Sequence, residues 1–183
     1  SNYIGYNGAS GLAVADINES SGKEVLFLTD QLRVLSSTGS LLWSYNDDFQ
    51  HVVVDDITPS NNGLEILLSD ERYVSGDAKL QMLDTAGNEL YSFTQNNDFG
   101  CIWSGLTPAV GELNSSYDGK EVVWFVNSTN NSEELLTVFN SSLHPIWTYA
   151  FDIGNCGYQQ SGTVPSAIAI GDLTGDGFNE IVF

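Results

Sequence analysis

The sequence predicts an all-β fold assembled from one repeated strand-turn-strand unit, an expectation that rests on three observations. Residues that form helices readily are scarce, with one Met and five Lys plus Arg in 183 residues. Val, Ile, Thr, Tyr, Phe and Trp abound instead, interrupted by Gly, Asn, Asp and Ser. Apolar runs of four to seven residues, alternating or continuous, are bounded by turn-formers. One unit recurs four times in register.

The copies read GLAVADINESSGKEVLFL from Gly11, HVVVDDITPSNNGLEILL from His51, PAVGELNSSYDGKEVVWF from Pro108 and SAIAIGDLTGDGFNEIVF from Ser166. In each, an apolar run ends at an acidic residue: Asp16, Asp56, Glu112 or Asp172. A polar turn follows, and Glu24, Glu65, Glu121 or Glu180 opens a second run. The acidic anchors lie 40, 56 and 60 residues apart. The first three copies continue into LRVLSSTGSLLWSY, LQMLDTAGNELYSF and LTVFNSSLHPIWTY, each ending aromatic-Ser/Thr-aromatic. Thr38-Gly39 and Ala86-Gly87-Asn88 mark turns within these strand pairs.

Each unit is thus four antiparallel strands, which cannot bury both faces alone, so neighbouring units must stack as the blades of a β-propeller do. The blades fall at about 11–46, 51–95, 108–151 and 165–183, the last partial, within one region spanning 1–183. About three and a half blades leave a ring open. A fragment of a longer propeller, or a chain completed by a partner, is the expectation.

The unit resembles the FG-GAP/VCBS repeat, an apolar strand running into an Asp-x-Asp/Asn-x-Asp-Gly-x-x-Asp/Glu turn. The resemblance covers roughly the whole chain and is strongest in the fourth copy. There, Asp172, Thr174 and Asp176 present side-chain oxygens, Gly177 permits a sharp bend and Glu180 closes the loop. The resemblance adds the carbonyl of Phe178 and implies bound Ca2+. Calcium takes six to eight hard oxygen ligands in flexible geometry, which alternating donors in one turn can supply. A metal-free hairpin, with Asp and Thr bonding their own backbone, is the alternative. The first copy keeps Asp16, Asn18 and Glu24, with Ser20-Ser21 where the pattern has Asp-Gly. The second, with an extra residue between Asp56 and Glu65, is expected to be metal-free. The third offers Glu112, Asn114, Asp118 and Glu121 around one insertion.

Twenty-four Asp and Glu against five Lys and Arg leave a net charge of −19, which repels nucleic-acid phosphates and anionic lipid surfaces. No apolar stretch approaches the roughly 20 residues that span a bilayer. Sequons at Asn18, Asn114, Asn127, Asn130 and Asn140, together with two cysteines and the acidity, favour an extracellular or cell-surface location. A glycan and a buried metal contact at Asn18 exclude each other. Cys101 and Cys156 occupy corresponding connections of adjacent blades, where a disulfide would stabilise by roughly 3–5 kcal/mol.

Chain reversal puts the connections Asn46–His51, Thr94–Trp103 and Phe151–Gln160 at the end opposite the acidic turns. They carry Phe49, Asn96, Asn97, Trp103, Tyr158 and Gln159, residue types that stack on sugar rings and bond their hydroxyls. The competing reading packs these aromatics between blades. Trp43, Trp124 and Trp147 read as core. His51 and His144 show no nucleophile or acid partner at recognisable spacing, and no phosphate loop or dinucleotide fingerprint is present.

The expected function is a non-enzymatic, calcium-binding extracellular propeller that binds a glycan or protein partner. A surface-layer or filament subunit, self-assembling through an open propeller edge, is one alternative. A calcium-dependent polysaccharide lyase is another, since some lyases resemble this repeat.

Overall fold

The computed structural model describes residues 11–18, 22–47, 49–70, 78–95, 107–127, 133–152 and 167–183. Within them every regular element is a β-strand. The first sheet holds β1 (Gly11–Ala15), β2 (Glu24–Leu28), β3 (Leu32–Leu35) and β4 (Leu41–Tyr45). The second holds β5 (His51–Asp55), β6 (Glu65–Asp70), β7 (Ala78–Leu83) and β8 (Glu89–Gln95). The third holds β9 (Ala109–Gly111), β10 (Glu121–Asn127), β11 (Glu133–Phe139) and β12 (Pro145–Asp152). In the fourth, β13 (Ala169–Gly171) pairs with β14 (Glu180–Val182). Among the described residues every pairing is antiparallel between strands adjacent in sequence, so each sheet is an open meander and none closes into a barrel.

The repeat extends to fine geometry. A register shift falls at Val34/Leu35, Met82/Leu83 and Val138/Phe139, the same place in each of three outer strand pairs. The turns that follow are also alike, since Ser36, Asp84 and Asn140 each accept a backbone bond from Gly39, Gly87 and Leu143. Gly39 and Gly87 have φ of 84° and 85°, and Leu143, buried, takes the same left-handed region at 57°. A non-glycine residue there is costly and persists only where surrounding structure holds it. Leu143 is held by the core it enters.

The sheets stack face to face in chain order. Leu26, Leu28, Leu32 and Val34 of the first sheet meet Phe49, Val52, Ile66, Leu68 and Leu83 of the second. Leu67, Leu80 and Met82, on the other face of the second sheet, meet Val122, Trp124 and Phe139 of the third. Val123, Phe125, Leu136 and Val138 then meet Ile168, Ile170 and Ile181 of the fourth. Successive strand residues point to opposite faces, so a sheet covered on both sides needs a continuous apolar strand. β6 is buried at all six positions, whereas β2, in the end sheet, alternates.

Two lysines that form ion pairs among the described residues tie neighbouring sheets together. Lys79 Nζ on β7 lies 3.0 Å from Asp47 Oδ2, beyond β4. Lys120 Nζ, before β10, lies 2.7 Å from Asp55 Oδ1 at the end of β5.

The stack predicts unequal costs for the same truncation. Leu67→Ala, fully buried between the second and third sheets, is expected to lower unfolding free energy by about 2–5 kcal/mol. Leu12→Ala, 69% exposed on the outer face of the first sheet, is expected to cost under about 0.5 kcal/mol. Urea denaturation measures both, and equal losses would contradict the stacking order.

Candidate functional site

All four acidic turns join the first and second strands of a sheet and share one internal bond pattern. Glu65 Oε2 accepts the backbone N–H groups of Ile57 at 2.6 Å and Thr58 at 3.0 Å. Glu121 Oε2 accepts those of Leu113 at 2.7 Å and Asn114 at 3.2 Å. Glu24 Oε2 accepts Ile17 N at 3.0 Å, and Glu180 Oε2 accepts Leu173 N at 2.8 Å. The recurring glutamate therefore anchors the turn backbone, a role the sequence did not reveal beside its reading as a loop-closing ligand.

Strand alternation puts Glu24 on the face of Leu26, Glu65 on that of Leu67 and Glu121 on that of Val123, each toward the following sheet. Those three glutamates are buried, while Glu180, on a face without a following sheet among the described residues, is only half-buried.

The second carboxylate oxygen distinguishes the turns. Asn61 Nδ2 donates to Glu65 Oε1 at 2.8 Å, so the second turn is internally satisfied. Tyr117 occupies the equivalent place in the third turn, four residues before the glutamate. Among the described residues, buried Glu121 Oε1 has no hydrogen-bond partner. Asn114 Oδ1 takes Ser116 N at 3.0 Å, and Glu112 and Asp118 are exposed around the turn.

In the fourth turn Asp172 gathers the backbone, with Gly175 N on Oδ1 at 2.6 Å and Gly177 N on Oδ2 at 2.9 Å. Asp176 Oδ1 accepts Phe178 N at 2.9 Å, and Thr174 is exposed beside them. Each of these oxygens retains further acceptor capacity. In the first turn Asp16 and Asn18 are exposed, and Ser20 lies outside the described residues. No three His, Cys, Asp or Glu side chains among the described residues converge into a preformed cage.

Neighbouring turns are linked at this end. Lys120 N donates to Ile57 O at 2.9 Å, and Asn179 Nδ2 to Glu112 O at 2.6 Å. Gly119, with φ of 84°, passes so close that a Cβ would stand 2.4 Å from Ile57 O. A pocket of about 370 Å³ opens between the second and third turns, lined in part by Asp56, Asn61, Glu112 and Lys120.

At the opposite end, Phe49 is 1% exposed within the first core, and Lys79 Nζ lies 5.4 Å above its ring. It is therefore a core plug rather than a platform for a ligand. Asn96, Asn97, Trp103, Tyr158, Gln159, Cys101, Cys156 and the sequon Asn130 lie outside the described residues. Of the other sequons, Asn18 and Asn114 are exposed and Asn127 ends β10. Asn140 Oδ1 holds its turn by accepting Ser142 N and His144 N, each at 3.0 Å.

No protein-family model matches the chain, and no curated protein matches it. Among solved structures it is similar to a rhamnogalacturonan lyase PL11 from Bacillus licheniformis. That likeness has a TM-score of 0.61 and 15% identity, covering 96% of this chain and 39% of that one. A eukaryotic initiation factor matches with a TM-score of 0.48 and 10% identity, over 79% of this chain and 32% of that one. A protein of unknown function from Bacteroides caccae matches with a TM-score of 0.44 and 12% identity, over 77% and 45%. The chain thus spans 32–45% of the length of these solved chains. The lyase likeness shows the fold alone.

The turn geometry predicts that Glu65→Gln costs about 1.5–3 kcal/mol, because two buried N–H groups lose a charged acceptor. Chemical denaturation checks the value, and a change within 0.5 kcal/mol, about the effect of an unremarkable surface substitution, would refute the role.

Proposed function

We propose that the sheets are successive β-propeller blades and that the protein is an extracellular binding module. Its third and fourth acidic turns take calcium, and its opposite end meets a glycan or protein partner. The observation that supports calcium most directly is Glu121 Oε1, a buried carboxylate oxygen with no hydrogen-bond partner among the described residues. Such an atom carries a desolvation penalty of about 1–3 kcal/mol or more, which a bound cation offsets.

In this reading Glu112, Asn114, Asp118 and Glu121 hold one ion, and Asp172, Thr174, Asp176, Glu180 and the Phe178 carbonyl hold another. Calcium supplies positive charge that offsets repulsion within each turn. The protein's part is to bring the oxygens together: Glu121 and Glu180 pin the first turn residues, and Asp172 folds the fourth loop around itself. The second turn, with both oxygens of Glu65 satisfied, stays metal-free. The stacked four-stranded sheets and their recurrent register shift support the blade reading. The excess of 24 acidic over five basic residues supports a site of action away from nucleic acid and anionic membranes.

Thermal melting in excess chelator and in saturating calcium tests the assignment. At 100 times the dissociation constant a single site adds about 2.7 kcal/mol, a rise of roughly 5–10 °C for a chain of this size. Asp118→Asn and Asp172→Asn together are expected to abolish most of that rise. An identical midpoint in calcium and chelator would overturn the metal assignment.

A further inference from the structure

Three aromatic pairs hold equivalent places on the fourth strands of the first three sheets. Trp43, Tyr91 and Trp147 sit across from Val34, Met82 and Val138. Tyr45, Phe93 and Tyr149 sit across from Leu32, Leu80 and Leu136. In the first two sheets the next sheet's outer hairpin covers the pair. Trp43 lies against Gly87 in the β7–β8 turn, where a Cβ would stand 3.3 Å from its ring, and Gln81 Nε2 on β7 donates to Tyr45 Oη at 3.0 Å. Likewise Tyr91 packs against the core that holds Leu143 of the β11–β12 turn, its Oη sharing a hydrogen bond with Ser60 Oγ at 2.8 Å, and Phe93 meets Phe139 of β11 with ring centroids 4.8 Å apart. The first aromatic goes under the turn and the second against the third strand.

The third pair lacks that cover. Trp147 is 46% and Tyr149 58% exposed, and the sheet that follows has only β13 and β14 among the described residues. Phe183, directly after β14, reaches Phe125 and Phe151 at centroid distances of 5.8 and 5.1 Å, closing the inner part of this face and leaving its outer part open.

We propose that this surface is a docking site for a β-hairpin, which pairs with the edge of β14 and lays its turn over Trp147. The chain's own earlier sheets define the occupant's chemistry: apolar residues alternating on one face, a small residue in the turn, and a polar or aromatic side chain opposite Tyr149. Main-chain bonds to β14 supply affinity, and the aromatic pair sets register. The inference rests on the repetition of the sheets and not on calcium, so it is tested in chelator.

Appending residues 69–95 after Phe183 restores the six-residue length of β6 and supplies the β7–β8 hairpin, which contains no Trp. Against a fusion with the same residues scrambled, Tm is expected to rise by at least about 2–4 °C. Trp emission is expected to shift to the blue, and Trp147→Phe is expected to remove that shift. As a second arm, the synthetic peptide of residues 78–95 added to the unfused protein is expected to slow amide exchange at Ile181 and Val182. The second arm decides the matter if the fusion fails to fold. No gain in Tm and no protection overturn the proposal. Protection that grows with protein concentration alone, assigning the surface to a second copy, overturns it too. So does a Trp147 shift given by neutral oligosaccharides and not by the hairpin.

Discussion

A buried carboxylate that gathers the backbone of its own turn is the constraint on which the rest of the structure depends. Glu24, Glu65 and Glu121 each begin a second strand, and each turns back to accept N–H groups from the residues that leave the first. Such bonds are charge-assisted, and each contributes about 1.5–3 kcal/mol. They hold the two inner strands together in a turn of ten residues, Asp56 to Glu65 or Glu112 to Glu121, where backbone pairing alone leaves donors unsatisfied. The same position faces the following sheet, so every covered glutamate makes a local turn and a sheet interface depend on one another.

Stacking distributes the remaining work. The middle sheets bury both faces and need continuous apolar strands, which EILLSD and EVVWF provide, while the first sheet alternates. Cations are so scarce that their placement is informative. Lys79 and Lys120 bridge neighbouring sheets, and such partly exposed pairs are worth little individually. Their larger effect is to break up runs of negative charge where sheets meet. At the turn end Lys120 also donates its backbone N–H to Ile57 O, so one residue links the second and third turns by two bonds.

The all-β class, the four turns and the strand pairs were legible because apolar runs and turn-formers alternate with a fixed order of residue types. The glutamates' role was not, since an acidic residue closing an acidic turn has the same appearance whether it binds a metal or backbone N–H groups. A usable signal was present: Gly22, Gly63 and Gly119 each stand two residues before the glutamate, all with positive φ. Phe49 resembled a loop aromatic because sequence places it between strands but does not show that the chain folds it into the first core. Trp43 and Trp147 looked equivalent and are so in register, but burial depends on the next sheet, which a local motif does not encode. Leu143 at a position where two sister turns carry glycine was likewise invisible, because its compensation lies in tertiary packing.

Native-state hydrogen exchange in excess chelator tests most directly whether glutamate carboxylates, and not a metal, hold the turns. The amides of Ile57, Thr58 and Leu113 lie outside the strands and would exchange rapidly if solvent were their main partner. Protection comparable to that of Leu67 and Val123, lost locally at Ile57 and Thr58 in Glu65→Gln, is the predicted result. Fast exchange at these amides in chelator, slowed only by adding calcium, would contradict the account.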